Sequence, residues 1–148
     1  MARVLIDTNV LVYAYDRREP AKQRQAIRVL EQLQLTRSGY LCVQSLAEFF
    51  RVVRRGSQPI LPLDIASQQT DVLSQAWPVF DVTPMIVIEA VRGANTHRLA
   101  YWDAQIWATA RLNQIPVILT EDFPTNASLE GVRIVNPFAE DFDLTAWT

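Results

Sequence analysis

Short apolar runs alternate with segments of helical periodicity along nearly the whole chain, and this alternation restricts the fold more than any other feature. Residues 4–6, 40–43, 79–82, 117–120 and 132–135 are brief and apolar, as strands buried on both faces are. Between them, residues 9–15, 21–35, 45–55, 63–75, 84 to about 91, and 102 to about 112 read as helices. Thr83-Pro84 supplies an N-cap followed by proline at the first helical position. Strand and helix in strict alternation predict an α/β sandwich built on a mostly parallel sheet. The 148 residues suit one domain, and neither a repeat nor a linker divides residues 1–148.

In an open parallel sheet, ligands bind beyond the carboxyl ends of the strands. Asp7 follows the first strand directly. Glu48 stands in the first turns of the helix after the second, Asp103 at the start of the helix preceding the fourth, and Asp122 just beyond the fourth. Four acids can therefore share one sheet edge. Each also has a structural role open to it. Asp7 can cap the next helix, and Ser45-x-x-Glu48 matches a capping box. Asp103 can complement its helix dipole, and Asp122 can belong to an exposed turn.

Composition narrows the chemistry. Cys42 is the only cysteine and His97 the only histidine, which excludes an intrachain disulfide, a cysteine-rich zinc site and a multi-histidine site. A Ser-His-Asp triad would have to use His97, and nothing around it resembles a nucleophile elbow. Clustered carboxylates repel, and neither Lys22, the sole lysine, nor any arginine adjoins Asp7, Asp103 or Asp122 in sequence. A hard cation bound by oxygen ligands, Mg²⁺ or Mn²⁺, is the natural compensation. Net charge is −2, so nucleic-acid binding would depend on local clusters of arginine. No apolar run is long enough for a bilayer span, and the start lacks the basic segment and cleavage site of a signal peptide, so a cytoplasmic location is expected.

Taken together, "LIDTNVLVYAY", "QSLAEFFRVV", "YWDAQIWATARLNQIPVILTEDF" and "VRIVNPF" resemble the PIN-domain family, and more narrowly its VapC-type ribonuclease toxins of toxin–antitoxin pairs. The resemblance runs from Val4 to about Phe138. It implies a PIN-like three-layer α/β/α sandwich whose parallel sheet of about five strands has the order 3-2-1-4-5. It carries the family's acids onto Asp7, Glu48, Asp103 and Asp122 as catalytic and metal-binding residues. Thr8 and Asn9 would brace the Asp7 turn and Thr120 the region of Asp122. Of the adjacent pair Glu121-Asp122, the second residue takes the role.

The implied activity is Mg²⁺-dependent hydrolysis of RNA phosphodiester bonds, with water attacking to leave a 5′-phosphate and a 3′-hydroxyl. The implied partners are RNA, a cognate antitoxin protein and a second copy of the chain, with no membrane. Apolar stretches in the first-half helices, "IRVLEQLQL" and "AEFFRVV", are open to a partner or to the core. For RNA, Arg51 and Arg55 share a helix face with spacing of four, and Arg98 with Arg92 and His97 forms a second patch. Trp102 and Trp107 flank Asp103 on an apolar helix, which predicts core packing over base stacking. Two alternatives within the family stay open: a nuclease of RNA processing outside a toxin pair, and a non-catalytic binding module. A receiver-type domain would need a second acid after the first strand and a lysine after the last core strand. A haloacid-dehalogenase-like phosphatase would need aspartate at position 9, where this chain has Asn9.

Overall fold

The computed structural model describes residues 2–123 and 127–147; the first and last residues of the expected domain lie outside them. In chain order the main elements are β1 (Val4–Ile6), α1 (Thr8–Tyr13), α2 (Pro20–Leu35), β2 (Gly39–Cys42), α3 (Val43–Val53) and α4 (Leu63–Ala76). They continue with β3 (Val79–Phe80), α5 (Pro84–His97), α6 (Tyr101–Leu112), β4 (Val117–Leu119), β5 (Ser128–Leu129) and β6 (Val132–Val135). A 3₁₀ turn spans Leu144–Trp147. The sheet runs β3-β2-β1-β4-β6-β5. Every pairing is parallel except β5 with β6.

β1 lies inside the sheet, paired with β2 on one side and β4 on the other, and all three of its residues are buried. Successive strand side chains point to opposite faces. Val4 and Ile6 accordingly enter a core that includes Val29, Leu41, Phe49 and Leu73, covered by α1 to α4. Leu5 enters a second core with Ile86, Ala104, Trp107 and Ile118, covered by α5 and α6. Two cores on opposite faces of one sheet make the three layers that the alternation predicts.

The sheet has six strands, not five, and the extra one sits on the edge. Ser128–Leu129 turns back onto β6 through Glu130 and Gly131, both at positive φ (51° and 86°). This is a two-residue hairpin of the type that needs left-handed residues, here without the usual Asn-Gly or Asp-Gly signal. With β5 set aside, the strand order is the expected one. α5 runs on to His97, past the expected end near residue 91. Gly93 does not break it, because a Cβ there would lie 2.4 Å from Trp107, so glycine admits the indole. Thr83 caps this helix as expected, accepting from the Ile86 amide at 3.2 Å. Among the described residues, no helix is long and apolar enough to cross a membrane.

Candidate active site

Asp7 belongs to a strand and a helix at once. Its amide extends the β1–β4 pairing by donating to the Leu119 carbonyl at 3.0 Å. Its side chain caps α1, with Oδ1 accepting from the Thr8 amide at 2.7 Å. Oδ2 accepts from the Thr120 hydroxyl at 2.8 Å, just beyond the end of β4. The carboxyl group is only 6% exposed. Burial is the main reason its pKa rises from 3.8 to about 6. The two hydrogen bonds oppose that rise, and the charges of Asp122 and Glu48 add to it.

Asn9 ties this turn to the next strand end. Its Nδ2 donates to Thr120 Oγ1 at 2.9 Å and to Asp122 Oδ2 at 3.1 Å, and its Oδ1 accepts from the Glu121 amide at 3.4 Å. Thr120 Oγ1 also accepts from the Asp122 amide at 3.2 Å. One hydroxyl therefore links Asp7, Asn9 and Asp122. The neighbouring Glu121 faces elsewhere. It accepts from Tyr13 at 2.5 Å and from Lys22 at 2.9 Å, which joins it to α1 and α2. Of the two adjacent acids, Asp122 is the one coupled to Asp7 and Asp103.

Glu48 is held by two neutral donors: Thr8 Oγ1 at 3.1 Å to Oε2, and Gln44 Nε2 at 3.0 Å to Oε1. The capping-box expectation fails. α3 begins at Val43, two residues before Ser45, because β2 passes directly into it. Its N-cap is Cys42 without a side-chain hydrogen bond, and Ser45 is buried against the Cys42 sulfur at 3.5 Å. Glu48 is thus freed from any capping role. Asp103 lies in the first turn of α6, half-buried. Its carboxyl pKa is raised by burial first, then by Asp122 and Glu48.

Four carboxylates from four elements thus sense one another at the carboxyl edge of the sheet. Their hydrogen-bond partners are neutral. Lys22 is engaged by Glu121, while Arg92, His97 and Arg111 are engaged by Glu89 and Glu130. An all-oxygen, net-negative, partly desolvated donor set fits a hard divalent cation. Among the described residues no three such side chains already converge to enclose a metal.

The arginines separate. Arg51 is exposed and lines a cleft beside Glu48, but α3 ends at Val53 and leaves the exposed Arg55 beyond it, so the two do not share a helix face as expected. Arg54 instead donates to the Leu61 carbonyl at 2.8 Å. Arg98 is exposed at the C-cap of α5, in the left-handed region. Arg92 and His97 are committed to Glu130, so the second patch reduces to Arg98. Trp107 is fully buried, but Trp102 is 62% exposed, against the expectation of core packing. The two differ by five positions, so they leave α6 on different faces. Two site neighbours escaped the sequence reading. Gln44 bridges Glu48 and the Trp102 carbonyl, and Gln105 donates to Gln44 Oε1 at 2.6 Å. Their one signal was polarity: Gln44 stands four residues before Glu48, and Gln105 lies within the buried run 104–110.

Residues 4–123 match the model of the PIN domain family. Solved structures with the same fold include a toxin–antitoxin complex from Klebsiella pneumoniae, 21% identical, TM-score 0.67, covering 90% of this chain and 97% of that one. A DNA-bound VapBC from Salmonella typhimurium is 17% identical, TM-score 0.67, with coverage of 93% and 99%. The sarcin–ricin-loop-cleaving toxin VapC20 of Mycobacterium tuberculosis is 17% identical, TM-score 0.56, with coverage of 78% and 86%. A comparison with curated protein sequences gives no significant match.

Proposed function

The chain belongs to the PIN-domain family, and on that premise we propose that it is a Mg²⁺-dependent endoribonuclease, the toxin of a toxin–antitoxin pair. The observation that carries this reading is the grouping of Asp7, Glu48, Asp103 and Asp122 at one sheet edge, where among the described residues the donors to Asp7, Glu48 and Asp122 are neutral. Asp7, Glu48, Asp103 and Asp122 would hold Mg²⁺, or Mn²⁺ in its place, which would supply positive charge for the phosphate and lower the pKa of a bound water.

The chain's own residues hold the geometry. Thr120 and the Thr8 amide fix both oxygens of Asp7. Thr8 and Gln44 fix both oxygens of Glu48, which orients water at the reacting phosphate. Asn9 aligns Asp122 with Asp7 through Thr120. Asp103 and Asp122 complete the negative rim. In metal-assisted hydrolysis water, not the ribose 2′-hydroxyl, would be the nucleophile, and the products would carry a 5′-phosphate and a 3′-hydroxyl. Arg51, Arg55 and Arg98 contribute positive charge toward the RNA backbone.

A cognate antitoxin and a second copy of the chain are the protein partners in this reading, and a cytoplasmic location goes with it. In α2 and α3 the core takes Val29, Leu33, Phe49 and Val53, whereas Ile27 and Leu35 are exposed. The exposed Met85, Ile88 and Val91, three apart along α5, offer a surface for such partners.

The test is digestion of total RNA by the wild type and Asp7→Asn, with Mg²⁺ and with EDTA, followed by analysis of the cut ends. Mg²⁺-dependent cleavage that leaves 5′-phosphates and falls on the order of 10²–10³-fold in the variant is expected. Equal cleavage by both proteins would overturn the assignment.

A further inference from the structure

A cleft of about 600 Å³ opens beside Glu48, which is the one of the four acids in its wall. Its other lining includes Val43, Ala47, Val82, Arg51 and Trp102. The catalytic reading uses Glu48, Gln44 and Arg51 from its lining and leaves Trp102 and the apolar wall without a role. Trp102 is the widest apolar surface bordering it and is 62% exposed. One exposed aromatic alone signals nothing, but here it shares a cleft with Val43, Ala47 and Val82 and with the acid Glu48.

We propose that this cleft is a subsite for one nucleobase of single-stranded RNA, with Trp102 as its stacking platform; the proposal rests on the nuclease reading of the adjoining acids. Position is the first reason. Trp102 precedes Asp103 on α6 and shares this cleft with Glu48, so a nucleotide next to the scissile phosphate is within reach of it. Pre-organisation is the second. The Trp102 carbonyl accepts from Gln44 at 3.2 Å, and the same Gln44 amide nitrogen donates to Glu48. The indole packs against Tyr101 at 5.1 Å and 77°, and the Tyr101 hydroxyl donates to the buried Gln105 at 2.8 Å. The platform and the acid site are therefore braced by one chain of side chains.

Chemistry is the third reason. A base needs an apolar slot with an aromatic face, and its backbone needs a cation nearby. Val43, Ala47 and Val82 supply the slot, and Arg51 lies one turn beyond Glu48 on α3. Stacking tolerates any base, so the subsite favours unpaired RNA over a particular sequence. Trp102 would set substrate affinity without touching the reacting atoms.

Steady-state cleavage of short single-stranded RNAs tests this with wild type, Trp102→Ala and Trp102→Phe, using substrates with one abasic nucleotide at each position around the cut. Trp102→Ala should raise KM roughly 5- to 150-fold, the range of one base–aromatic stack, and leave kcat nearly unchanged. Trp102→Phe should regain much of the loss. One abasic position should weaken the wild type to a similar degree and leave Trp102→Ala unaffected. An unchanged KM, or a penalty that adds to every abasic position alike, overturns the proposal and leaves the cleft to a protein partner. Binding of a fluorescent oligoribonucleotide in EDTA separates the two readings. Trp102-dependent binding without any cleavage upholds the subsite and sinks the nuclease. Binding indifferent to Trp102 sinks the subsite.

Discussion

Replacing Asp7 by asparagine should change stability in opposite directions at low and high pH. Burial raises the Asp7 pKa from 3.8 to about 6. The folded protein therefore holds this proton more tightly than the unfolded chain, and the stability it contributes is full below pH 3.8 and lost as pH rises through about 6. At 1.36 kcal/mol per pKa unit, the charged form at pH 8 costs about 3 kcal/mol. Asparagine removes that cost but brings one of its own. Thr120 Oγ1 already accepts from Asn9 and from the Asp122 amide, so its proton is committed to Asp7 Oδ2. An amide nitrogen there meets a donor, and the flipped amide meets the Thr8 amide instead. One unsatisfied buried donor costs about 1–2 kcal/mol. The variant should thus be more stable than the wild type by about 1–2 kcal/mol at pH 8, and less stable by a similar amount at pH 4. Urea unfolding in EDTA at several pH values measures the difference directly. A difference that stays flat between pH 4 and pH 8 would refute the account of Asp7, whatever its sign. Mg²⁺ at pH 8 should then stabilise the wild type more than the variant.

Other substitutions divide the site from its surroundings. Gln44→Ala removes one of the two donors on Glu48 and the tie to α6, and should lower kcat about tenfold with little change in KM, read from single-substrate kinetics. Arg51→Ala should raise KM for RNA and flatten its salt dependence by about one charge, whereas Arg54→Ala should leave both unchanged and cost about 1 kcal/mol in urea unfolding, through the Leu61 carbonyl. Gly93→Ala forces a Cβ to within 2.4 Å of Trp107 and should destabilise by about 1–3 kcal/mol, lowering Tm by several degrees in calorimetry. Lys22→Ala breaks a partly exposed pair with Glu121 and should cost at most about 1 kcal/mol, leaving Mg²⁺-dependent cleavage in place.

The parts legible in the sequence are those where one local pattern serves one purpose. β1 is three apolar residues followed by an acid, and burial on both faces makes such a run unambiguous. The cap at Thr83 is equally local. The order of strands came from family resemblance, and the β5 hairpin was missed because Glu130-Gly131 lacks the usual turn residues. At Glu48 two local rules competed. Ser45-x-x-Glu48 has the spacing of a capping box, but β2 runs straight into α3 and starts the helix two residues early. The glutamate is then left to Thr8, forty residues away, a partner no local rule could name.

Trp102 shows the same limit from the opposite side. A tryptophan on an apolar helix is ordinarily core, and Trp107 obeys, filling the space above Gly93. The face opposite is decided by the packing of α6 against α5 and by where α3 passes. Around Trp102 one contact is long-range, from Gln44 of α3 to its carbonyl, and one is local, from Tyr101 beside it to Gln105 one turn on. Gln105 touches both Gln44 and Tyr101, so a change there should move substrate affinity and turnover together. Gln105→Leu tests that coupling. It keeps the buried volume of the side chain and removes both amide contacts. If the brace matters, KM should rise and kcat fall by comparable factors, each about threefold to tenfold, with unfolding in urea little altered. A variant that loses stability with unchanged kinetics would show that the glutamines serve packing alone.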